Sequence, residues 1–146
     1  MFQFSASTNK GKGAYIWKLF KDACRDVLNR PNLVVHNIRL ENATKLADRG
    51  MDDEPAVVEG LGLEYVAFPI ASRDEISFDA ARKLDQLLET YDGPVLLHCG
   101  SGNRVGAVLA LRESLNGADD EAAIAFGKTA GLTRLEDLVR ERLTKE

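Results

Sequence analysis

A chain of 146 residues with 45% apolar residues is long enough to bury one hydrophobic core, so a single domain over residues 1–146 is expected. A net charge of −4 with no basic stretch speaks against a nucleic-acid partner, and no apolar run approaches the length of a membrane span. The first residues lack the charged-then-apolar order of a signal peptide, and Cys24 and Cys99 are too few for a disulfide framework, so a reducing, cytoplasmic setting is expected.

Residues 1–13, ending Asn9-Lys-Gly-Lys-Gly13, carry the weakest pattern and fit an edge strand, a flexible arm or a partner-binding piece. Ala14 to Asn29 reads as an amphipathic helix stopped by Arg30-Pro31-Asn32, with Cys24 as a packing residue inside it. A strand follows over Leu33–Leu40, in which His36 reads as a core or sheet histidine. A polar region and a short helix around Asp53–Leu61 lead to a second strand, Leu63–Ile70. Ser77 then opens a helix through Leu84, Leu87 and Leu88 to about Thr90, and Tyr91-Asp-Gly-Pro94 delivers the chain to Val95-Leu96-Leu97. That uninterrupted apolar run between a Gly-Pro breaker and a glycine-rich turn is the pattern of a strand buried on both faces.

Everything after this strand reads as helix and turn. Val105 to Leu115 is too apolar for a surface helix and fits a central helix packed on the sheet, ended by Glu113–Gly117. Asp119 to Lys128 makes a second helix with acidic residues at its start. Thr133-Arg-Leu-Glu136 fits a capping box opening a third, with Leu135, Leu138, Val139 and Leu143 on one face. The expectation is an α/β fold: a short, mainly parallel central sheet flanked by helices, its reactive loop after the last strand. No internal repeat, low-complexity tract or linker interrupts it.

The chemistry concentrates in His98-Cys99-Gly100-Ser101-Gly102-Asn103-Arg104-Val105. Gly100 and Gly102 allow the backbone to turn its amides inward as a nest, at the positive end of the following helix. Amides from Gly100 through Ser101, Gly102 and Asn103 to Val105, with the Arg104 guanidinium, converge on one point, where a phosphate held bidentately by Arg104 lies above the Cys99 sulfur. The same field favours the thiolate of Cys99. Gly100-x-Gly102-x-x-x-Gly106 also imitates a dinucleotide fingerprint, but that pattern belongs to the first strand-helix unit.

His98-Cys99-x-x-Gly102-x-Arg104 resembles the phosphate-binding signature of the cysteine-based protein tyrosine and dual-specificity phosphatases. From about Leu33 to Leu143 the chain resembles the bacterial dual-specificity-phosphatase-like domain also found in beta-lactamase-hydrolase-like proteins. The matching pieces are Val34–Glu41, Asp53-Glu54-Pro55-Ala56, Gly62–Ile70 and the loop from His98 to Ala107. Two departures stand out. Four residues separate Cys99 from Arg104 where the phosphatases have five, the spacing of rhodanese-type sulfurtransferases. Val105 replaces the hydroxyl residue that usually stabilises the departing thiolate, a role Ser101 is left to fill. A rhodanese sheet needs another strand after the active loop, so chain order favours the phosphatase topology.

The resemblance implies a general acid on the loop Ala71–Ser77, with Asp74 as the matching residue and Glu75 as runner-up; the alternative for both is a surface turn. Arg73 is read as solvated or as meeting a second anionic group, and Arg39 is implied to brace loops near the site. His98 is counted with the substrate-binding residues and read as a buried residue that fixes the loop through hydrogen bonds, with a proton shuttle as the alternative. No metal-ligand spacing is present and no cofactor is implied. The expected activity is hydrolysis of phosphate monoesters on a phosphorylated protein or small molecule, by way of a phosphocysteine. A sulfurtransferase and a catalytically weak anion-binding module remain the alternatives, and the oligomeric state is left open.

Overall fold

The structure, a computed structural model, describes residues 3–7, 36–39, 53–91, 95–99 and 102–145. The helix expected over Ala14–Asn29, with Cys24, lies outside them. Among the described residues four strands form one sheet in the order β1 (Gln3–Ser7), β4 (Val95–Cys99), β2 (His36–Arg39), β3 (Glu64–Ala67), with β1 and β3 outermost of the four. All three pairings are parallel. Every residue of β4 is buried, as a central strand covered on both faces requires.

Register aligns the strand ends. Ser7 pairs with Cys99, Arg39 with His98, and Arg39 with Ala67, so all four strands end at one edge of the sheet. In open parallel sheets that carboxyl edge is where ligands bind. Strand β3 stops at Ala67, short of the expected Ile70, because Pro69 has no N–H to give a ladder.

Helix α1 (Glu54–Gly60) precedes β3, and α2 (Phe78–Glu89) follows a 3-10 turn at Arg73–Glu75. Ser77 caps α2, its Oγ accepting the Ala80 N–H at 3.2 Å, and Ala80, Ala81, Leu84 and Leu88 form the buried stripe. Helix α3 (Asn103–Leu115) is buried from Val105 to Leu111, with no polar face over that stretch, and is the central helix of the core. Helix α4 (Asp120–Thr129) is capped by Asp119, whose Oδ1 accepts the Ala122 N–H at 2.9 Å. It crosses α3 at Gly106 and Gly127, where a Cβ on Gly106 would lie 2.6 Å from the Gly127 carbonyl oxygen. Only glycine permits so close a crossing.

Helix α5 (Glu136–Leu143) buries Leu138, Val139 and Leu143. The expected capping box is not formed: the helix starts at Glu136, Leu135 occupies the cap position, and no side chain caps it. Thr133 instead accepts the Glu136 N–H through its backbone carbonyl at 3.2 Å, in a turn held from outside by Asn103. Among the described residues no helix is long and apolar enough to cross a membrane.

Candidate active site

Cys99 is the last residue of β4 and only 1% exposed. Gly100 and Ser101, the first two residues of the expected cradle, lie outside the described residues. Gly102 caps α3 in the left-handed region, φ 84°, a conformation that favours glycine and turns the chain from strand to helix. Arg104 is half-buried in the first turn, and among the described residues no carboxylate forms an ion pair with it. Val105 is fully buried. Strand end, left-handed glycine, helix N-terminus and guanidinium thus follow one another within six residues, and the thirteen-residue helix adds the positive end of its dipole.

Asn103 does something its sequence context did not announce. Its side chain is 7% exposed, and its Oδ1 accepts the N–H groups of Thr133 at 3.0 Å and Leu135 at 3.3 Å. The side-chain oxygen is therefore committed to the α4–α5 connection. Gly131, φ 112°, packs from the same connection against the Gly102 backbone.

His98 has no exposed surface, so its side chain is not part of a solvent-facing binding surface. Its Nε2 is 2.8 Å from Oε1 of Glu54, which is equally buried. Sequence reasoning missed Glu54, because an acidic residue before Pro55 at a helix start is ordinary helix text.

Asp74 is on the 3-10 turn after β3, fully exposed, with Arg142 of α5 3.9 Å from its carboxylate. The Arg142 Nε donates to the Ile76 carbonyl at 3.1 Å and ties this loop to the last helix. Glu75, the runner-up acid, accepts the Ala71 N–H at 2.8 Å and closes its own turn. The loop leaves the sheet at the same carboxyl edge as Cys99, two strands away, which is about 10 Å at ordinary strand spacing. A groove of about 420 Å³ runs beside it, lined by Phe68, Ile70, Glu75, Asp79 and Lys83; Cys99 is not in its wall. The side chains of His36 and Arg39 lie outside the described ones.

No protein-family model matches the sequence, and no curated protein does either. Solved structures match it along most of its length. A candidate phosphatase from Neisseria meningitidis Z2491 superposes with a TM-score of 0.69 at 18% identity, over 86% of this chain and 87% of that one. Kinase-associated phosphatase, solved with its catalytic-site cysteine replaced by serine, gives 0.59 at 13% identity over 99% and 87%. A candidate phosphatase from Shewanella putrefaciens CN-32 gives 0.56 at 16% identity over 98% and 87%. The likeness establishes the fold, which this chain shares with these phosphatases.

Proposed function

We propose that the chain is a cysteine-dependent phosphatase of the dual-specificity type, acting on phosphate monoesters such as phosphotyrosine or another phosphorylated protein or small molecule. The observation that carries this reading is Cys99 at the carboxyl end of the central strand, joined through left-handed Gly102 to the N-terminus of α3 with Arg104 in its first turn. Such an arrangement offers a tetrahedral oxyanion amide donors, a helix dipole and a bidentate cation at once.

In the first step the Cys99 thiolate attacks phosphorus. An S–P bond forms, the P–O bond to the leaving group breaks, and the Asp74 carboxyl gives its proton to the departing oxygen. In the second step water attacks phosphorus and gives a proton to the Asp74 carboxylate. The S–P bond breaks, inorganic phosphate leaves and the thiolate is restored. Amides from Gly100 to Val105, with Arg104, hold the transferring group throughout. No metal or organic cofactor enters either step, and a reducing cytoplasm suits the thiolate.

The test is release of phosphate from p-nitrophenyl phosphate. Wild type should turn over and Cys99→Ser should not, while vanadate or phosphate still binds the variant. Transfer of sulfur from thiosulfate to cyanide would establish the sulfurtransferase instead. Protection of Cys99 from alkylation by phosphate, with neither turnover, would reduce the site to an anion-binding module.

A further inference from the structure

We propose that Glu54 is a positioning residue for Cys99 that acts through His98: it holds a hydrogen on His98 Nε2 and thereby fixes the imidazole beside the nucleophile. The inference rests on the reading of Cys99 as the reactive thiol, though not on the substrate or the reaction assigned to it.

Glu54 is the first residue of α1, and its Oε1 is 2.8 Å from His98 Nε2. Neither side chain has any solvent exposure. A carboxyl group stripped of water needs polar surroundings, and the His98 imidazole stands at ion-pair distance from it. Hydrogen at Nε2 selects the tautomer and the ring plane, the service that carboxylates give to working histidines elsewhere. The other ring nitrogen, Nδ1, is the one nearer the backbone that continues into Cys99. Its hydrogen-bonding capacity is therefore set by what happens at Nε2.

Stability alone does not account for the pair. Two apolar side chains of similar volume would fill the same space with equal or greater stability, since burying ionisable groups costs desolvation that their mutual attraction often only offsets. Around the pair the strand is Val95, Leu96 and Leu97, all buried and apolar, so the one polar side chain of β4 before the nucleophile stands out against its own strand. The buried carboxylate comes from a helix about forty-five residues earlier in the sequence, aimed at the residue next to Cys99.

The experiment uses Cys24→Ser, so that Cys99 is the sole thiol, and reads its rate of alkylation by iodoacetamide. Glu54→Leu should slow alkylation by about tenfold, the size of effect expected when the partner of a working histidine is lost. Glu54→Gln, which can still accept from Nε2–H, should recover most of the rate. In a His98→Asn background Glu54→Leu should add no further loss. Unchanged alkylation in folded Glu54→Leu would overturn the inference, as would the same loss with His98 already absent. Should Glu54→Leu not fold, long-range ¹H–¹⁵N spectra of the wild-type protein decide: hydrogen on Nε2 supports the assignment, and a His98 protonated only at Nδ1 overturns it. A wild-type protein that shows this alkylation pattern without cleaving p-nitrophenyl phosphate removes the phosphatase reading and leaves this one standing.

Discussion

Gly131 and Gly102 meet backbone to backbone: a Cβ added at residue 131 would lie 2.8 Å from the Gly102 carbonyl oxygen. Gly102 is the left-handed hinge between Cys99 and α3, and Gly131 is itself at φ 112°. The turn between α4 and α5 is thus the wall against which the reactive loop is set. Gly131→Ala should lose about 1–3 kcal/mol, from a strained backbone and an unrelievable backbone contact together. Urea unfolding measures the loss. Because the contact is with Gly102, vanadate affinity should fall in the same variant, and affinity equal to wild type would show that this wall does not shape the loop.

Asn103 makes the second connection to that wall. Asn103→Ala leaves the Thr133 and Leu135 N–H groups without their acceptor and should cost about 1–3 kcal/mol in a urea titration. Asn103→Asp keeps both hydrogen bonds but places a negative charge at the first residue of α3, beside the anion. Its stability should stay nearer to wild type while phosphate binding weakens more than in Asn103→Ala. Equal anion affinities in the two variants would argue against a cradle at this helix end.

How far the site was legible follows from where its parts lie in the sequence. Cys99, Gly102 and Arg104 fall within six residues, and their placement follows from one local transition from strand to helix, so it can be read without a fold. Glu54 and Asn103 cannot. One acquires its partner on β4 across a long separation, and the other has a polar side chain whose acceptors' donors come from residues thirty further on. The capping box at Thr133 failed for the same reason: a tertiary partner, Asn103, took over the turn before a local cap could form. Leu84, Leu88, Leu138 and Val139 were readable because helical period alone selects them.

Arg140 of α5 pairs with Glu121 of α4 at 2.6 Å and with Glu136 of its own helix at 2.9 Å, and Lys128 of α4 also meets Glu136 at 2.9 Å, so two ion pairs join the helices. The hydrogen bond from Arg140 holds the Glu121 carboxyl below its ordinary value near 4.5, and the Lys128 and Arg140 hydrogen bonds do the same for Glu136. Folded values lowered in this way contribute stability above the unfolded value and lose it as pH falls through the folded ones. Arg140→Leu should therefore unfold at a lower temperature than wild type at pH 7, and the gap should close below about pH 4. Glu121 is exposed and Glu136 and Arg140 are half-buried, so solvent still screens the pairs and the gap is small and should shrink further in high salt. A gap that persists at pH 3 would place the effect in lost packing of the arginine stem.

Val105 is fully buried, and in the proposed reaction it takes the place where a hydroxyl would assist departure of the thiolate from phosphorus. The second step should then be slow, and phosphocysteine should accumulate. Rapid mixing with p-nitrophenyl phosphate should show a burst of nitrophenolate followed by a slower steady rate. Val105→Thr, close in volume, should raise the steady rate by up to about tenfold for a single new hydrogen bond in the transition state, at a stability cost of about 1–3 kcal/mol for the buried hydroxyl. A steady rate that does not move would assign the slow step elsewhere or the assistance to Ser101.

Asp74 is fully exposed on its turn, with Arg142 alongside and holding the neighbouring Ile76 carbonyl. As general acid it matters in proportion to how poorly the leaving group departs unaided. Asp74→Asn should lower kcat/KM for an alkyl or phenyl phosphate by about 10²–10⁴ and affect p-nitrophenyl phosphate far less, because that leaving oxygen needs little protonation. A plot of rate against leaving-group acidity should be nearly flat for wild type and steep for the variant. Glu75→Gln, whose carboxylate is engaged with the Ala71 N–H, should keep the wild-type slope. If the two variants exchange behaviours, Glu75 is the acid and the turn must open before it acts.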